Sequence, residues 1–571
     1  MFNTTLSKNT SAKYITYFIL GWTVLNLLQA ATLGIHSDEA YYWMYSRFLD
    51  WGYYDHPPMV ALFIRMGDAL IPNELGLRLM TVISSSLSAY LLWLIARRYR
   101  ADARWFVILF CGVFAFNIYG FTTTPDAPLL LFSVLFYYVY QQYLEKDSWP
   151  LALLLGVVIA LLLYSKYHGV LLLFFTLLAN LKVLKRLTFW VIPVLTVLLY
   201  LPHILWQVNH GYPSVNYHLF ERSSAVYEFS RTLQYIPAQL LMAGPLVGWL
   251  LFYYSSRVKV KDAFIRCLVF NAAGMFIFFW LNTAKGNVQP HWTLIGFVPL
   301  LLLVLIRLKQ TIVQPVWAYR LAFINAAIIV LFRVMLIAGV PFVKNLPTVK
   351  NYFYHDEWAA HIKQKAGNNY VIMPLGFQPA SKYNYYTRSL KGFSYDVFDY
   401  RRTQYELWPI EDSLQHKKAY YLVTYPLHGP GVDSINTKLG MWYGKWVNNV
   451  RTYQKIDILS DRYKVTARPG EAVTFKLQLV NPYSYTVNFG GTRQKDSTVL
   501  RACFYEGEEQ AILRRADPSF NQLIIPSHQK ANYTLTVKAP NVKGKYDLIF
   551  SIRTTPFPGG RNSRIVTFTV Q

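Results

Sequence analysis

The chain has 571 residues, of which 54% are hydrophobic and only 15% are charged, and its 56 basic residues outnumber its 30 acidic residues to give a formal charge of +26. An ordinary soluble domain carries about 25% charged residues, so this composition excludes an ordinary soluble protein, and its high apolar content excludes a disordered chain. The sequence therefore predicts a polytopic membrane protein, long enough to carry additional domains.

The excess of positive charge does not indicate a nucleic-acid partner. No basic stripe with stacking aromatic residues appears on a soluble segment. The basic residues lie between apolar runs instead, where they set the orientation of membrane helices. The three cysteines, Cys111, Cys267 and Cys503, are too few for a disulfide framework.

Apolar runs of the length needed to cross a bilayer, about 20 residues, recur along the first 343 residues. They predict about eleven membrane spans, near residues 14–34, 74–95, 105–123, 127–144, 150–165, 168–181, 188–208, 235–255, 264–281, 292–306 and 318–341. Alternate connections are short and basic, for example at 97–104 and 182–186. The positive-inside rule places these connections in the cytoplasm, so the other connections and everything after the last span are predicted to lie outside.

The remainder of the chain has a different composition. Residues 344–461 mix short strand-like runs with polar helical stretches, which predicts an extracytoplasmic α/β domain. Residues 462–571 alternate apolar and polar positions in runs separated by turn residues, which predicts a β-sandwich of the immunoglobulin-like kind. The predicted layout is a membrane domain over 1–343 followed by these two extracytoplasmic domains.

Polar motifs gather in the connections predicted to face outside, where polar residues near membrane depth are candidates for function. They are Ser37-Asp38-Glu39-Ala-Tyr-Tyr-Trp, Tyr53-Tyr54-Asp55-His56-Pro-Pro, Thr124-Pro125-Asp126-Ala-Pro and Tyr164-Ser165-Lys166-Tyr-His168-Gly. Each acidic motif also has a purely structural interpretation, because Ser37 can cap a helix and acids in a first turn suit the helix dipole. A carboxylate at the membrane surface can alternatively take a proton from an acceptor group.

Lys166 runs against the positive-inside bias, so it is expected to have a partner outside the membrane. A lipid-linked phosphate suits an ammonium group, whereas snorkelling to lipid headgroups is the structural alternative. His218 and the run Gln289-Pro290-His291-Trp292 lie in two further outer connections. Asp55 and His218 form a nitrogen and oxygen pair of the type that binds a divalent metal, although two ligands alone are a weak signal.

These motifs in this order closely resemble the bacterial glycosyltransferase family 39 type, which is related to protein O-mannosyltransferases and to the aminoarabinose transferase of lipid A within the GT-C fold class. The resemblance covers roughly residues 10–310. It implies an enzyme of the inner (plasma) membrane that moves a sugar from a polyprenyl-phosphate donor to a lipid, glycan or protein acceptor on the outer face. Such a donor needs no nucleotide cofactor, in agreement with the absence of a Rossmann or P-loop signature.

The resemblance also implies roles for individual residues. Asp38 matches the acid treated as the catalytic base, Glu39 is its neighbour in the same Asp-Glu pair, and Asp126 matches the second acid of the fold. Lys166 matches a lysine that contacts the donor phosphate, and His56 stands where the aminoarabinose transferase has a lysine.

Further positions are implied to complete the site. Asp55 and His218 stand where that relative binds a metal, so a divalent metal ion is a possible cofactor. His168, His291 and Trp292 are expected to line the site. Two other functions fit the sequence, a flippase-like carrier of polyprenyl lipids or glycans and a polysaccharide polymerase; a carrier would need no base.

Overall fold

The computed structural model describes residues 8–218, 227–311, 314–398, 400–490, 498–506 and 512–571. The chain divides into two compact units, Met1–Phe353 and Tyr354–Gln571. The first unit is helical and the second contains all the strands of the described part.

The helices of the first unit follow one another with short connections. They are α1 Lys8–Thr32, α2 Ser37–Arg47, α3 Met59–Leu70, α4 Glu74–Arg98, α5 Ala103–Gly112, α6 Phe114–Tyr119, α7 Asp126–Glu145, α8 Trp149–Ser165, α9 Gly169–Ala179, α10 Val191–Asn209, α11 Pro213–Asn216, α12 Phe229–Ala243, α13 Gly248–Ser256, α14 Ala263–Asn282, α15 Leu294–Gln310, α16 Val316–Ile337, α17 Pro341–Lys344 and α18 Pro347–Lys350. Short 3-10 turns at Leu181–Lys185, Leu187–Trp190 and Pro290–Thr293 extend the neighbouring helices.

Six helices in the described part are long and apolar enough to cross a membrane, or seven if one bent pair counts as a span. The six are Asn9–Thr32, Glu74–Arg98, Leu187–Asn209, Ala263–Asn282, Pro290–Gln310 and Val316–Ile337. The predicted number of about eleven is therefore not confirmed. The apolar helices α5, α8 and α9 are too short to be counted, and the predicted span 105–123 is divided at Val113 between α5 and α6.

The predicted span 235–255 is the bent pair, because α12 and α13 meet at an angle of 93°. Gly244 follows α12 with φ of +149°, a conformation that side chains rarely allow, and a Cβ there would lie 2.8 Å from the carbonyl oxygen of Gly112. The amide of Asn325 supports the break: its Nδ2 donates to Gly112 O at 2.9 Å and its Oδ1 accepts from the Leu246 N–H at 2.9 Å. A broken helix at membrane depth requires such partners for its freed backbone groups.

The second unit begins with a five-stranded sheet in the order β2-β1-β3-β5-β4. The strands are β1 Tyr370–Met373, β2 Gly392–Ser394, β3 Ala419–Val423, β4 Val432–Thr437 and β5 Gly440–Val447. The pairs of β1 with β2 and β3 are parallel, and β5 pairs antiparallel with β3 and β4. Three helices accompany the sheet, α19 His355–Ala366, α20 Phe377–Thr387 and α21 Ile410–Leu414.

The rest of the unit is rich in sheet, as the period-two pattern predicts. Its strands are β6 Asp457–Ser460, β7 Lys464–Ala467, β8 Ala472–Val480, β9 Val487–Asn488, β10 Thr498–Tyr505, β11 Ile512–Arg515, β12 Ile524–Ile525, β13 Lys530–Lys538, β14 Gly544–Thr554 and β15 Val566–Val570. They form sheets in the orders β11-β10-β14-β15-β7 and β13-β8-β6, with a separate β12-β9 pair. Strand β8 buries every second residue, and these side chains share one hydrophobic core with side chains of β14 and β15.

Candidate active site

The most enclosed ion pair of the helical unit joins Glu39 to Arg78. Both side chains are fully buried, with Arg78 Nε 2.8 Å from Glu39 Oε1 and Arg78 Nη2 2.6 Å from Oε2. Each oxygen accepts a second hydrogen bond from the backbone, Oε2 from the N–H of His36 at 2.8 Å and Oε1 from the N–H of Thr123 at 2.9 Å. The carboxylate of Glu39 is therefore engaged on both oxygens, and it connects α2 to the segment that precedes α7.

Arg78 extends the same network to the first span. Its Nη1 donates to the carbonyl of Ala30 in the last turn of α1, and its Nη2 donates to that of Gly34 just after this helix. The last carbonyls of a helix have no partner within the helix, so the guanidinium completes the end of α1. Burial by itself raises the pKa of Glu39, but the charge of Arg78 and the hydrogen bonds outweigh burial and the pKa is lowered. Arg78 was not among the residues predicted from the sequence. Its position as a lone arginine inside the apolar run 74–95 was the signal that could have indicated it.

Asp38 differs sharply from its neighbour. Its side chain is 41% exposed, whereas that of Glu39 is completely buried. The N-cap of α2 is His36 rather than the predicted Ser37, and the His36 ring accepts from the Asp38 N–H at 3.2 Å while Glu39 completes a capping box. The cap thus uses the ring of His36 and the carboxylate of Glu39, and leaves the Asp38 carboxylate accessible.

Lys166 lies at the end of α8 and has a carboxylate partner. Its Nζ is 2.8 Å from each oxygen of Asp126, the first residue of α7, and both side chains are almost entirely buried. The hydroxyl of Thr124 is 3.4 Å from Asp126 Oδ2, and His291 Nε2 is 4.0 Å from the same oxygen. The partner expected for this lysine on the outer side is therefore an acid of the protein in this structure.

Tyr119, which lies in the predicted span 105–123, ends α6 beside His291, and the two ring centroids are 5.6 Å apart. The hydrogen bond from the Thr123 N–H to Glu39 Oε1 holds the residue next to Asp38 against the segment that leads into Asp126. Asp126 in turn contacts Lys166 and lies 4.0 Å from His291. The structure therefore brings Asp38, Asp126, Lys166 and His291 into one part of the helical unit.

The other residues predicted to line the site pack as an aromatic group. The rings of His168 and Trp292 are 5.7 Å apart, and the His168 ring meets Phe279 edge-on at 5.1 Å. His168 precedes α9 and Trp292 lies in the turn before α15. Through the adjacent His291, this group is continuous with the neighbourhood of Asp126.

Asp55 and His218, the pair predicted to bind a divalent metal, lie close to each other in the structure. The carboxylate Oδ2 of Asp55 accepts from the hydroxyls of Tyr41 at 2.9 Å and Tyr45 at 3.2 Å. His218 Nε2 is 2.9 Å from the backbone carbonyl oxygen of Asp55. No group of three histidine, cysteine or acidic residues suited to a metal occurs in the described part of the chain. The ring of His56 lies 6.2 Å from that of His218.

The site therefore contains two charged groups that can take part in a reaction. An accessible carboxylate, Asp38, stands at the start of a capped helix where it can accept a proton. A buried ammonium, Lys166, is oriented by Asp126 and can complement a phosphate. The site thus combines an accessible carboxylate with a buried cation.

Part of the helical unit matches a known family. The family described as dolichyl-phosphate-mannose-protein mannosyltransferase matches residues 55–206. The match includes Asp126 and Lys166 and ends before His291. The similarity is to a family of glycosyltransferases and covers part of the helical unit.

Individual relatives agree with that class. The lipid A galacturonosyltransferase RgtD of Rhizobium johnstonii is 24% identical over 290 residues, which are 48% of this chain and 61% of the relative, so the match spans about three fifths of the relative's length. ArnT of Cupriavidus metallidurans in the apo state has a TM-score of 0.58 at 13% identity, over 76% of this chain and 98% of ArnT. ArnT bound to undecaprenyl phosphate has a TM-score of 0.55 at the same identity and coverage. The chain has an ArnT-like fold, and the predicted resemblance to GT-C glycosyltransferases is confirmed.

Proposed function

We propose that this protein is a membrane glycosyltransferase that transfers a sugar from a polyprenyl-phosphate donor to a lipid, glycan or protein acceptor. The observation that carries the proposal is the placement of an accessible carboxylate, Asp38, in the same part of the helical unit as the buried Asp126–Lys166 pair, through the hydrogen bond of its neighbour Glu39 to Thr123. The similarity to a lipid A glycosyltransferase and to a protein solved with undecaprenyl phosphate supports it.

In the proposed reaction, Asp38 takes the proton of the acceptor hydroxyl or amine as that atom forms a bond to the anomeric carbon. The bond from the anomeric carbon to the phosphate oxygen breaks, and polyprenyl phosphate leaves with the electron pair. Proton removal in the transition state is the contribution of a general base, and cationic contacts stabilise the departing anion. Lys166 supplies that contact by sharing its ammonium between Asp126 and the phosphate.

Glu39 has a different proposed role from that suggested by the sequence. Both of its oxygens are occupied by Arg78 and by backbone N–H groups. We propose that Glu39 holds the start of α2 in place and so orients the Asp38 side chain. Asp38 alone accepts the proton. A carboxylate with four hydrogen-bond donors is a poor proton acceptor, because hydrogen bonds to the charged form favour that form.

The remaining predicted residues are proposed to border the substrates. His168, His291 and Trp292 line the side next to Asp126, and His56 lies near Tyr42 with ring centroids 5.7 Å apart, where a second contact to donor phosphate is proposed. The predicted divalent metal stays a prediction, and no step of the proposed reaction passes through it.

The proposed placement is the inner membrane, with the site and the unit Tyr354–Gln571 on the extracytoplasmic side. The basic connections at 97–104 and 182–186 support this orientation through the positive-inside rule. The two larger sheets of β6–β15, which share one core, are proposed to form the predicted sandwich.

The decisive experiment incubates the purified protein with undecaprenyl-phosphate-linked sugars, among them galacturonic acid, aminoarabinose and mannose, together with lipid A as acceptor. Release of free undecaprenyl phosphate and mass spectrometry of lipid A report transfer. We expect turnover with at least one donor and its loss in the Asp38→Asn variant. A carrier would move the donor across a vesicle bilayer without releasing the phosphate, and that result would overturn the enzyme proposal.

A further inference from the structure

Three arginines gather on one face of a sheet in the unit Tyr354–Gln571. Arg501 lies on β10, Arg515 on the edge strand β11 and Arg553 on β14. Arg501 stands opposite Arg515 on one side and opposite Ser551 on the other, and Arg553 follows Ser551 by two positions. Because side chains alternate between the two faces of a sheet, all three arginines project from the same face. We call these three residues the arginine triad.

The triad lies on the face of the sheet that turns away from the hydrophobic core. The alternate residues Leu500 and Ala502 of β10 belong to that core, which they share with side chains of β8 and β15. Directly opposite residues have Cβ atoms about 5 Å apart, and like charges in such positions are destabilising. Burial lowers the pKa of Arg501, and the charges of Arg553 and Arg515 lower it further. The pair of Arg501 and Arg515 therefore costs stability unless a negative charge accompanies it.

No acid among the described residues neutralises the triad. Its three side chains form no ion pair in the part of the chain that the structure describes. Asp547 lies on the same face of β14, but four positions from the residue opposite Arg501, which is about 13 Å along a strand. The charges that act on Asp547 are those of Lys545 and Arg561. The positive charge of the triad is therefore available to a ligand.

Most hydrogen-bond donors of the triad are unused. Arg501 Nη1 is 3.4 Å from the carbonyl oxygen of Pro558, and Arg553 Nε is 3.2 Å from that of Phe557. The side chain of Arg515 makes no hydrogen bond to a described residue. Arg501 is more than nine-tenths buried, and its Nε has no partner among the described residues. A guanidinium carries five N–H donors, so two bonds to carbonyl groups leave most donors of the three side chains for a ligand.

The triad is open to solvent on the side of the sheet edge. Arg515 is exposed and Arg553 is half-buried, whereas Arg501 is only 8% exposed. On the other side, the chain passes so close that a Cβ on Gly559 would lie 2.6 Å from Ser551 Oγ. A ligand therefore approaches Arg515 and Arg553 from solvent, and it needs no closed cavity.

We propose that the arginine triad binds a phosphate monoester, such as the phosphate of a phosphorylated sugar. A phosphate monoester carries a charge of about −1.5 to −2 near pH 7 and three terminal oxygens, whereas a carboxylate offers one charge and two oxygens. Planar guanidinium groups bind phosphate through paired hydrogen bonds. The donors approach from one side, so the fourth oxygen faces solvent, where an ester can attach it to a larger molecule. Inorganic phosphate shares this chemistry, and binding of either is independent of the proposed transfer reaction.

The test is isothermal titration calorimetry of the full-length protein in phosphatidylcholine nanodiscs and phosphate-free buffer at neutral pH. Glucose 1-phosphate, inorganic phosphate and glucuronate are titrated separately. We expect saturable binding of glucose 1-phosphate and an affinity for glucuronate that is lower by about tenfold or more, because the carboxylate makes fewer charge-assisted hydrogen bonds. Absence of binding would overturn the proposal. Equal affinity for glucuronate would overturn the assignment to phosphate, and tighter binding of inorganic phosphate would overturn the assignment to a monoester.

Matched variants locate the binding site. Arg515→Gln removes a charge from an exposed side chain that has no described hydrogen bond to lose, so the affinity for glucose 1-phosphate should fall about tenfold while Tm stays unchanged. Lys545→Gln removes an exposed charge near the other end of β14 and should keep the affinity of the wild type. Arg501→Gln should abolish binding, and if it fails to fold, the comparison of the other two variants decides. Wild-type affinity in Arg515→Gln, or an equal loss in Lys545→Gln, would contradict the proposal.

Discussion

The ammonium of Lys166 is equidistant from the two oxygens of Asp126, at 2.8 Å from each, although the two residues begin and end different helices. Neither side chain is accessible enough for water to replace its partner. In the proposed reaction, the lysine therefore contacts the donor phosphate only together with this carboxylate. Any substitution that removes the Lys166 ammonium therefore also affects the buried Asp126 carboxylate.

Lys166→Met should reduce stability as well as donor binding, because it leaves Asp126 as an uncompensated buried charge. Breaking a buried pair on one side costs about 3–5 kcal/mol. The double variant Lys166→Met with Asp126→Asn should recover much of the stability but no transfer activity. Thermal unfolding and donor binding, measured for both single variants and the double variant, give the coupling between the two residues. Recovery of transfer in the double variant would contradict the role of Lys166 towards the phosphate.

Asp38→Asn should lower kcat by about 10²–10⁴, the usual contribution of a general base, with little change in donor affinity. Stability should stay close to that of the wild type, because the cap of α2 is provided by His36 and Glu39. Turnover kinetics with a saturating donor, together with the unfolding temperature, test both expectations. Full turnover in a folded Asp38→Asn protein would refute the assignment of the base.

Glu39→Gln should behave in the opposite manner. An amide keeps one acceptor oxygen but removes the charge that compensates Arg78, so the free energy of unfolding should fall by about 3–5 kcal/mol. The kcat of the remaining folded protein should drop far less than in Asp38→Asn. The comparison requires kcat per folded molecule, with the folded fraction determined by size-exclusion chromatography. A normal Tm combined with a strong loss of kcat would assign Glu39 a direct part in the chemistry.

Gly244→Ala should destabilise the helical unit by about 1–3 kcal/mol. The backbone at Gly244 has φ of +149° and the new Cβ would meet the carbonyl oxygen of Gly112, so neither strain nor contact can relax locally. Gly21→Ala is the matched control, because a Cβ at that position meets no atom within 4 Å and alanine favours a helix. Differential scanning fluorimetry of both variants in the same detergent measures the contrast. Equal Tm values for the two variants would contradict the expectation.

The unit Tyr354–Gln571 should lose stability as pH rises from about 4 to 7. Burial raises the pKa of Asp396 to about 7, against its hydrogen bonds to Thr403 and Ser394. In this range the folded state keeps a proton that the unfolded chain has released, so unfolding becomes easier with increasing pH. Burial also raises the pKa of Glu406 and of Glu411, which act in the same direction.

The Asp396→Asn variant removes this ionisation. Its free energy of unfolding should therefore change less with pH than that of the wild type, by an amount on the order of a few kcal/mol. Unfolding of the full-length protein between pH 5 and pH 8, monitored by the near-ultraviolet signal, provides the measurement. A slope in Asp396→Asn as steep as in the wild type would show that other groups carry the effect.

The sequence predicted the helical membrane unit and the sheet-rich remainder because hydropathy and period-two alternation are local properties. The predicted number of about eleven spans is not confirmed, because apolar composition does not reveal where a helix ends. Val113 ends α5 and Gly244 breaks the span of α12 and α13, and both positions lie inside continuous apolar runs.

The candidate site was predicted as a set of residues but not as an arrangement. The motifs indicated Asp38, Asp126 and Lys166, but which acid is exposed depends on partners far away in the chain. Arg78 binds the carboxylate of Glu39 from 39 positions away, and Lys166 binds that of Asp126 from 40 positions away. Such pairings are decided by the packing of helices, which a single sequence does not display.

The attachment of Arg78 to the end of α1 also bears on how the chain is made. As synthesis proceeds, the last carbonyls of the first helix and the carboxylate of Glu39 enter the membrane region before residue 78 has left the ribosome. The turn that presents Asp38 therefore cannot take its final form until the fourth helix has inserted. The residues around Asp38 therefore wait for the fourth helix, although they are themselves among the first to be synthesised.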